Sequence, residues 1–134
     1  MTILAGIDLL AKFFAGSDER GKVTDRFRDF MEEYFSTISK PERDVVYQLR
    51  NSLLHSFGLY SEGGGKVYRF SLTGHGSGPL VSHKPPEQYH VDIRVLHREF
   101  EQAIANYQTA LASGTELQTK FAAMFGKYGH IYMA

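Results

Sequence analysis

The sequence predicts a mainly α protein, an up-and-down bundle of four to five helices with a small β-hairpin or meander inserted between helices three and four. Three observations predict it. Apolar residues recur at three- and four-residue spacing over several long stretches, start and stop signals bracket those stretches, and a glycine-rich, alternating segment from about residue 59 to 91 interrupts them. At 134 residues the chain is expected to form one domain, 1–134, able to bury roughly two thirds of its unfolded surface without metal or disulfide staples.

The first helix is read from Ile3, Ile7, Leu10, Ala11 and Phe14, with Asp8 and Lys12 four apart on another face and Gly16 and Ser17 as its end. Val23, Phe27, Phe30, Tyr34 and Ile38 form one stripe, so a second helix is expected from about residue 22 to 37, with Asp25, Arg28, Asp29, Glu32 and Glu33 mostly off it. Ser39 and Glu42 make a capping box around Pro41, and the third helix should run from there through Phe57 to Gly58. Gly63 to Gly65, the alternation from Val67 to Leu72, the glycines of residues 74–79 and Leu80–Val81 then read as the hairpin or meander. Pro85 and Pro86 finish it, ahead of a short strand at Tyr89 to Val91. Asp92 caps a fourth helix carrying Ile93, Leu96, Phe100, Ile104, Tyr107 and Leu111, which stops at Gly114. Thr115 and Gln118 suggest a second capping box for a fifth helix lined by Leu117, Phe121, Met124 and Tyr128.

Composition narrows the function classes. The chain has no cysteine, which removes disulfide frameworks, thiolate metal sites and thiol catalysis and suits a reducing compartment. Fifteen basic and fifteen acidic side chains cancel, so no global field draws the protein to nucleic acid or anionic membranes. Asp8 and Lys12 break the apolar run from Ile3 to Phe14 and no basic flank precedes it, so neither a signal peptide nor a membrane span is expected, and the placement is cytoplasmic. Phe and Tyr without Trp suit packed helices with tyrosine hydroxyls at the rim.

Chemistry concentrates in Arg50-Asn51-Ser52-Leu53-Leu54-His55 on the third helix. With Arg50 as zero and about 100° per residue, Val46, Leu53, Leu54 and Phe57 fall within about 60° of it, which puts the guanidinium in an apolar stripe. Asn51 and His55 follow at about 100° and 140°, on the stripe's margin. A buried, unpaired guanidinium costs several kcal/mol, so an anion should meet it. That anion is either an acid of the same chain, with Asp8, Asp29, Glu33 and Asp92 as candidates, or a phosphate or second subunit brought to the stripe. In the second case Arg50 clamps the anion and His55, a residue type whose unperturbed pKa lies near neutrality, carries a proton.

The run RNSLLH resembles the Arg-X4-6-His motif of the HEPN superfamily, in which a polar residue, often Asn, follows the Arg and the motif lies late in one helix of a four- or five-helix bundle. The resemblance implies a homodimer with two motifs facing one cleft, and a metal-independent endoribonuclease with no cofactor, of the kind found in toxin-antitoxin systems. RNA would be cut by its own 2′-hydroxyl, with Arg50 on the phosphate, Asn51 positioning and His55 as general acid and base. An antitoxin-like protein partner also belongs to that picture. The alternative is a non-catalytic HEPN-like homodimer that binds a nucleotide or a protein, and a third reading leaves Arg50 satisfied inside its own chain. The β insertion departs from a minimal member of the family and would shape or block the cleft.

Other groups offer less. The remaining histidines, 75, 83, 90, 97 and 130, match no zinc spacing, although His90 with Asp92 and His97 with Glu101 each make half a site. Gly74-His75-Gly76-Ser77-Gly78 has the glycine density of a phosphate cradle, but neither the Lys-Ser or Lys-Thr nor the helix that should follow, and reads as a flexible tip; Gly63 to Lys66 fails likewise. Glu32 and Glu33 point about 100° apart and read as surface charge. Lys66, Tyr68, Arg69 and Phe70 mix charge and rings as a single-stranded RNA platform does, while strand alternation has alternate residues packing on the bundle and only Tyr68 or Phe70 exposed.

Overall fold

The computed structural model describes residues 2–19, 21–55 and 59–128, without the side chains of Thr2, His55 and Tyr128. Five helices and four strands follow in order: α1 (Thr2–Ala15), α2 (Val23–Tyr34), α3 (Lys40–His55), β1 (Tyr60–Gly63), β2 (Lys66–Thr73), β3 (Val81–Lys84), β4 (Gln88–Asp92), α4 (Ile93–Ser113) and α5 (Thr115–Tyr128). The predicted class holds, a mainly helical chain with its β excursion between helices three and four. The expected continuation of helix three through Phe57 to Gly58 lies outside the described residues.

Local chemistry sets most boundaries. The Ser39 backbone N–H donates to Glu42 Oε1 at 3.0 Å and the Glu42 N–H returns to Ser39 Oγ at 3.3 Å, which is the capping box expected at the start of α3. Asp92 Oδ1 accepts from the N–H groups of Arg94 and Val95 at 3.0 and 3.2 Å, so α4 opens where its sequence says it should. The second capping box does not form. Thr115 already lies inside α5, and the Gln118 amide donates instead to the Leu111 and Ala112 carbonyls at the end of α4, satisfying acceptors that a terminating helix leaves open. Helix two stops at Tyr34, three residues short of expectation; Ile38 still reaches the core from the connection that follows.

The core is aromatic at its centre. Phe30, fully buried on α2, meets the rings of Phe14, Tyr34, Phe35 and Tyr107 at centroid separations of 5.1 to 6.4 Å. Phe13 on α1 meets Phe121 on α5 at 4.8 Å, so the first and last helices close the bundle. Tyr107 departs from the expected rim position. Its hydroxyl is buried with no hydrogen-bond partner among the described residues, and burial, then the neighbouring Tyr34, pushes its pKa to about 12.

The β excursion is a four-stranded sheet of order β1-β2-β4-β3. Its hairpins differ from the expected one. Gly64 and Gly65, both at positive φ, turn β1 into β2, and β1 itself carries no alternation that would announce it. β3 pairs with β4 rather than with β2, and β4 lies between them, antiparallel to β3 and parallel to β2, with Phe70 opposite Tyr89 and Leu72 opposite Val91. Tyr68 and Phe70 are both buried, since residues two apart share a face, and only the intervening Arg69 stays out, paired to Glu87 at 2.7 Å.

The glycine-rich connection between β2 and β3 is anchored, contrary to its reading as a flexible tip. The Gly76 N–H donates to Asp92 Oδ2 at 2.9 Å and its carbonyl accepts from Arg98 at 2.7 Å. With φ at +77° and Arg94 3.2 Å from where a Cβ would sit, only glycine suits position 76. Burial pulls the Asp92 carboxyl upward, but the N–H groups of Val95, Gly76 and Arg94 outweigh it and hold its pKa below the ordinary 3.8. A group lowered in this way stabilises the fold above the unfolded value and loses that contribution as pH falls through the folded one. Asp92→Asn, which keeps a cap, is therefore expected to be less stable than the parent at neutral pH. The gap should narrow as pH drops below about 3.8, read by urea unfolding at a series of pH values; a gap of constant size would contradict this account.

Candidate functional site

The face that α3 buries is rotated from the one its apolar residues suggest. Val45, Val46, Tyr47, Gln48, Leu49 and Ser52 are its buried positions, and Leu54, expected in the stripe, is 53% exposed. The sheet causes this. β1 lies against α3, Ser61 Oγ donates to Gln48 Oε1 at 2.8 Å, and Gly63 leaves room for the Gln48 amide, so a polar side of the helix is covered. Ser52 closes its own valence by donating to the Leu49 carbonyl at 2.8 Å. Arg50 consequently stands at the margin of the buried face.

Its anion comes from the same chain. Arg50 Nε donates to Asp8 Oδ2 and Oδ1 at 3.0 and 3.2 Å, and Nη1 donates to Asn51 Oδ1 at 3.0 Å. The Tyr47 ring lies beneath, with its centroid 5.9 Å from Arg50 Cζ. The side chains of Arg50 and Asp8 are 11% and 22% exposed, so the pair is largely shielded from water and worth more than a surface bridge. Asp8 was one of the four acids that sequence made eligible, and it turns to α3 across the α1–α3 junction.

Arg50 and Asn51 are thus brought together; His55 closes α3 at its C-terminal end, and its side chain lies outside the description. Around the motif the surface is apolar. Leu9, beside Asp8, is 48% exposed, Leu54 is the neighbour of His55, and Leu59 and Tyr60, the first residues described after α3, are exposed as well.

Beside Arg50, between α1, α2 and α3, opens a cavity of about 100 Å³ lined by Asp8, Ala11, Lys12, Val23, Arg26 and Arg50. Arg26 is the group that the sequence reading missed. It is only 6% exposed, donates from Nη1 to the Glu19 carbonyl at 2.6 Å, and has no carboxylate within 4 Å among the described residues. The helical arithmetic that singled out Arg50 would have found it, since Arg26 falls about 60° from the stripe through Val23, Phe27, Phe30 and Tyr34.

A larger cleft of about 460 Å³ lies at the other end of α3, between its first turns and the sheet, with Lys40, Asp44, Lys66, Tyr68, His83 and Tyr89 among its walls. His83 stacks on Tyr89 at 4.2 Å, and Asp44 is engaged by Lys40 and Arg28. Glu32 and Glu33 are exposed. His97 pairs with Glu101 at 3.2 Å on the surface of α4, and among the described residues no three of His, Asp and Glu gather as metal ligands. No described helix is long and apolar enough to cross a membrane. Compared with protein-family models, with curated proteins and with solved structures, the chain matches none.

Proposed function

We propose that the chain is a HEPN-like protein that pairs as a homodimer and cleaves RNA without metal, at a composite site made from Arg50, Asn51 and His55 of both copies. The observation that carries this reading is the presentation of Arg50. Asp8 holds one edge of the guanidinium through Nε and Asn51 holds Nη1, which fixes its plane at the margin of α3, next to apolar side chains that face solvent in a single chain. Leu54, with Leu59 and Tyr60 just after α3, is the kind of surface that a second copy covers, and covering it brings two Arg50–His55 segments to one cleft.

The chemistry is a proton-balanced transesterification. The ribose 2′-hydroxyl attacks the adjacent phosphorus, the 5′-oxygen leaves, and the products are a 2′,3′-cyclic phosphate and a 5′-hydroxyl. One His55 takes the 2′-hydroxyl proton and the other donates a proton to the leaving oxygen, while Arg50 faces the charge that develops on the non-bridging oxygens. The same apolar face is where an antitoxin-like partner would act.

One observation favours the non-catalytic alternative: Asp8 already balances much of the Arg50 charge, which weakens its hold on a phosphate. The two readings separate in one experiment. Purified protein incubated with RNA in EDTA is expected to cleave it and to leave cyclic phosphate ends, and His55→Ala is expected to lose about a hundredfold to ten-thousandfold in rate while light scattering still shows a dimer. Intact RNA with a dimer retained selects the binding module; a monomer at all concentrations sinks both.

A further inference from the structure

The cleft between the first turns of α3 and the sheet holds two buried donors with nothing in the chain to donate to. It measures about 460 Å³, the scale of small-molecule sites. Tyr68 and Tyr89 line it at 8% and 9% exposure, and neither hydroxyl has a hydrogen-bond partner among the described residues. A buried tyrosine hydroxyl normally finds one. Neither is sealed off as the Tyr107 hydroxyl is, so both keep a donor for what enters the cleft. Burial, then the neighbouring Tyr89 and Asp44, raise the Tyr68 pKa against the pull of Arg28, which keeps that hydroxyl in its donating form.

Charge narrows the ligand. Lys40 lies 3.4 Å from Asp44, which also meets Arg28, and Glu42 is engaged in the Ser39 cap. Lys66, reaching the cleft from β2, has no acidic partner among the described residues. One uncommitted ammonium and two hydroxyl donors suit a single carboxylate, which only accepts. A doubly charged phosphate would face Asp44 and Glu42 with one free cation to offset it. The rest of the wall is flat and largely apolar: Val45 and Val81, with His83 stacked on Tyr89 at 4.2 Å and 3° between planes. A planar ring fits such a surface. The Ser39–Glu42 capping box occupies the first turn of α3, so the site draws on side chains and not on a bare helix end.

We propose that this cleft binds a planar aromatic monocarboxylate, with Lys66 and the hydroxyls of Tyr68 and Tyr89 on the carboxylate and Val45, Val81 and His83 around the ring. One chain supplies every residue. The site lies at the opposite end of the sixteen-residue α3 from His55, roughly 20 Å along the axis, so it stands whether or not the chain cuts RNA.

The test is calorimetric titration of the full chain with 2-naphthoate, its neutral analogue 2-naphthamide and the dianion 2-naphthyl phosphate. Naphthoate is expected to bind saturably, one per chain, and about tenfold more tightly than the amide, the contribution of one charge-assisted hydrogen bond. Lys66→Gln should erase that preference by weakening naphthoate and leaving the amide unchanged. Tyr68→Phe and Tyr89→Phe should each weaken naphthoate roughly fivefold and keep the parent Tm, since the hydroxyl removed has no partner in the free chain. That split separates a ligand-binding hydroxyl from a structural one. Tyrosine variants that lose Tm and bind as the parent does overturn the site, as does a preference for naphthoate that survives Lys66→Gln. Tighter binding of the naphthyl phosphate overturns the monocarboxylate assignment, and failure of naphthoate to saturate overturns the proposal as a whole.

Discussion

Phe30→Ala is expected to lower the free energy of unfolding by about 4 kcal/mol, a fall in Tm of roughly 15 °C at about 4 °C per kcal/mol for a chain of this size. Phe30 is completely buried and its ring is shared between α1, α2 and α4 through Phe14, Tyr34 and Tyr107. A methyl group in its place leaves a void that three helices must close together. Each neighbouring ring is itself held by others, so collapse is resisted and the cavity contribution adds to lost burial. Differential scanning calorimetry measures it directly. A loss under about 1.5 kcal/mol would mean that the cluster relaxes freely, and would place the mechanical centre of the bundle elsewhere.

Asp8→Ala is expected to destabilise by about 2 to 3 kcal/mol, because it strands a guanidinium that is nearly as inaccessible as a core residue. The diagnostic quantity is the coupling. If Asp8 acts through Arg50, then Asp8→Ala combined with Arg50→Met should lose much less than the sum of the two single changes, by about 1 to 2 kcal/mol. Additive losses would show that Asp8 stabilises α1 independently. This cycle is read by urea unfolding.

What was legible in the sequence is what depends on neighbours within one turn. Ser39 with Glu42, Asp92 before Ile93, and Gly114 after the fourth apolar stripe are short-range hydrogen-bonding facts, and the helices begin and end accordingly. Three features depend on distant chain and were not. The strand Tyr60–Gly63 exists because β2 pairs with it, its own residues being neutral to strand formation. The parallel partnership of β2 with β4 requires β3 to reach past β4, which no periodicity encodes. Gln48 is buried against Ser61 of the sheet, so the inward face of helix three is rotated from the one hydropathy marks, although Val46 and Leu53 still meet the core. The motif fared between these. A charge near an apolar stripe demanded an acid, and sequence narrowed the choice to four, but selecting Asp8 needed the crossing of α1 and α3. Arg26 was within reach of the same arithmetic and simply lay among enough charged neighbours to pass for a solvated face.

The position of β4 has a consequence for how the molecule can come apart. It is the inner strand that parallels β2 and backs β3, and its final residue, Asp92, is also the cap of the longest helix and the anchor of Gly76. Freeing the sheet from the bundle would uncap α4, and fraying the start of α4 would release the connection that orders β3. What looks on paper like a detachable insertion is therefore one cooperative unit with the helices, and slow hydrogen exchange should run without a break from the amide of Val91 into the second turn of α4.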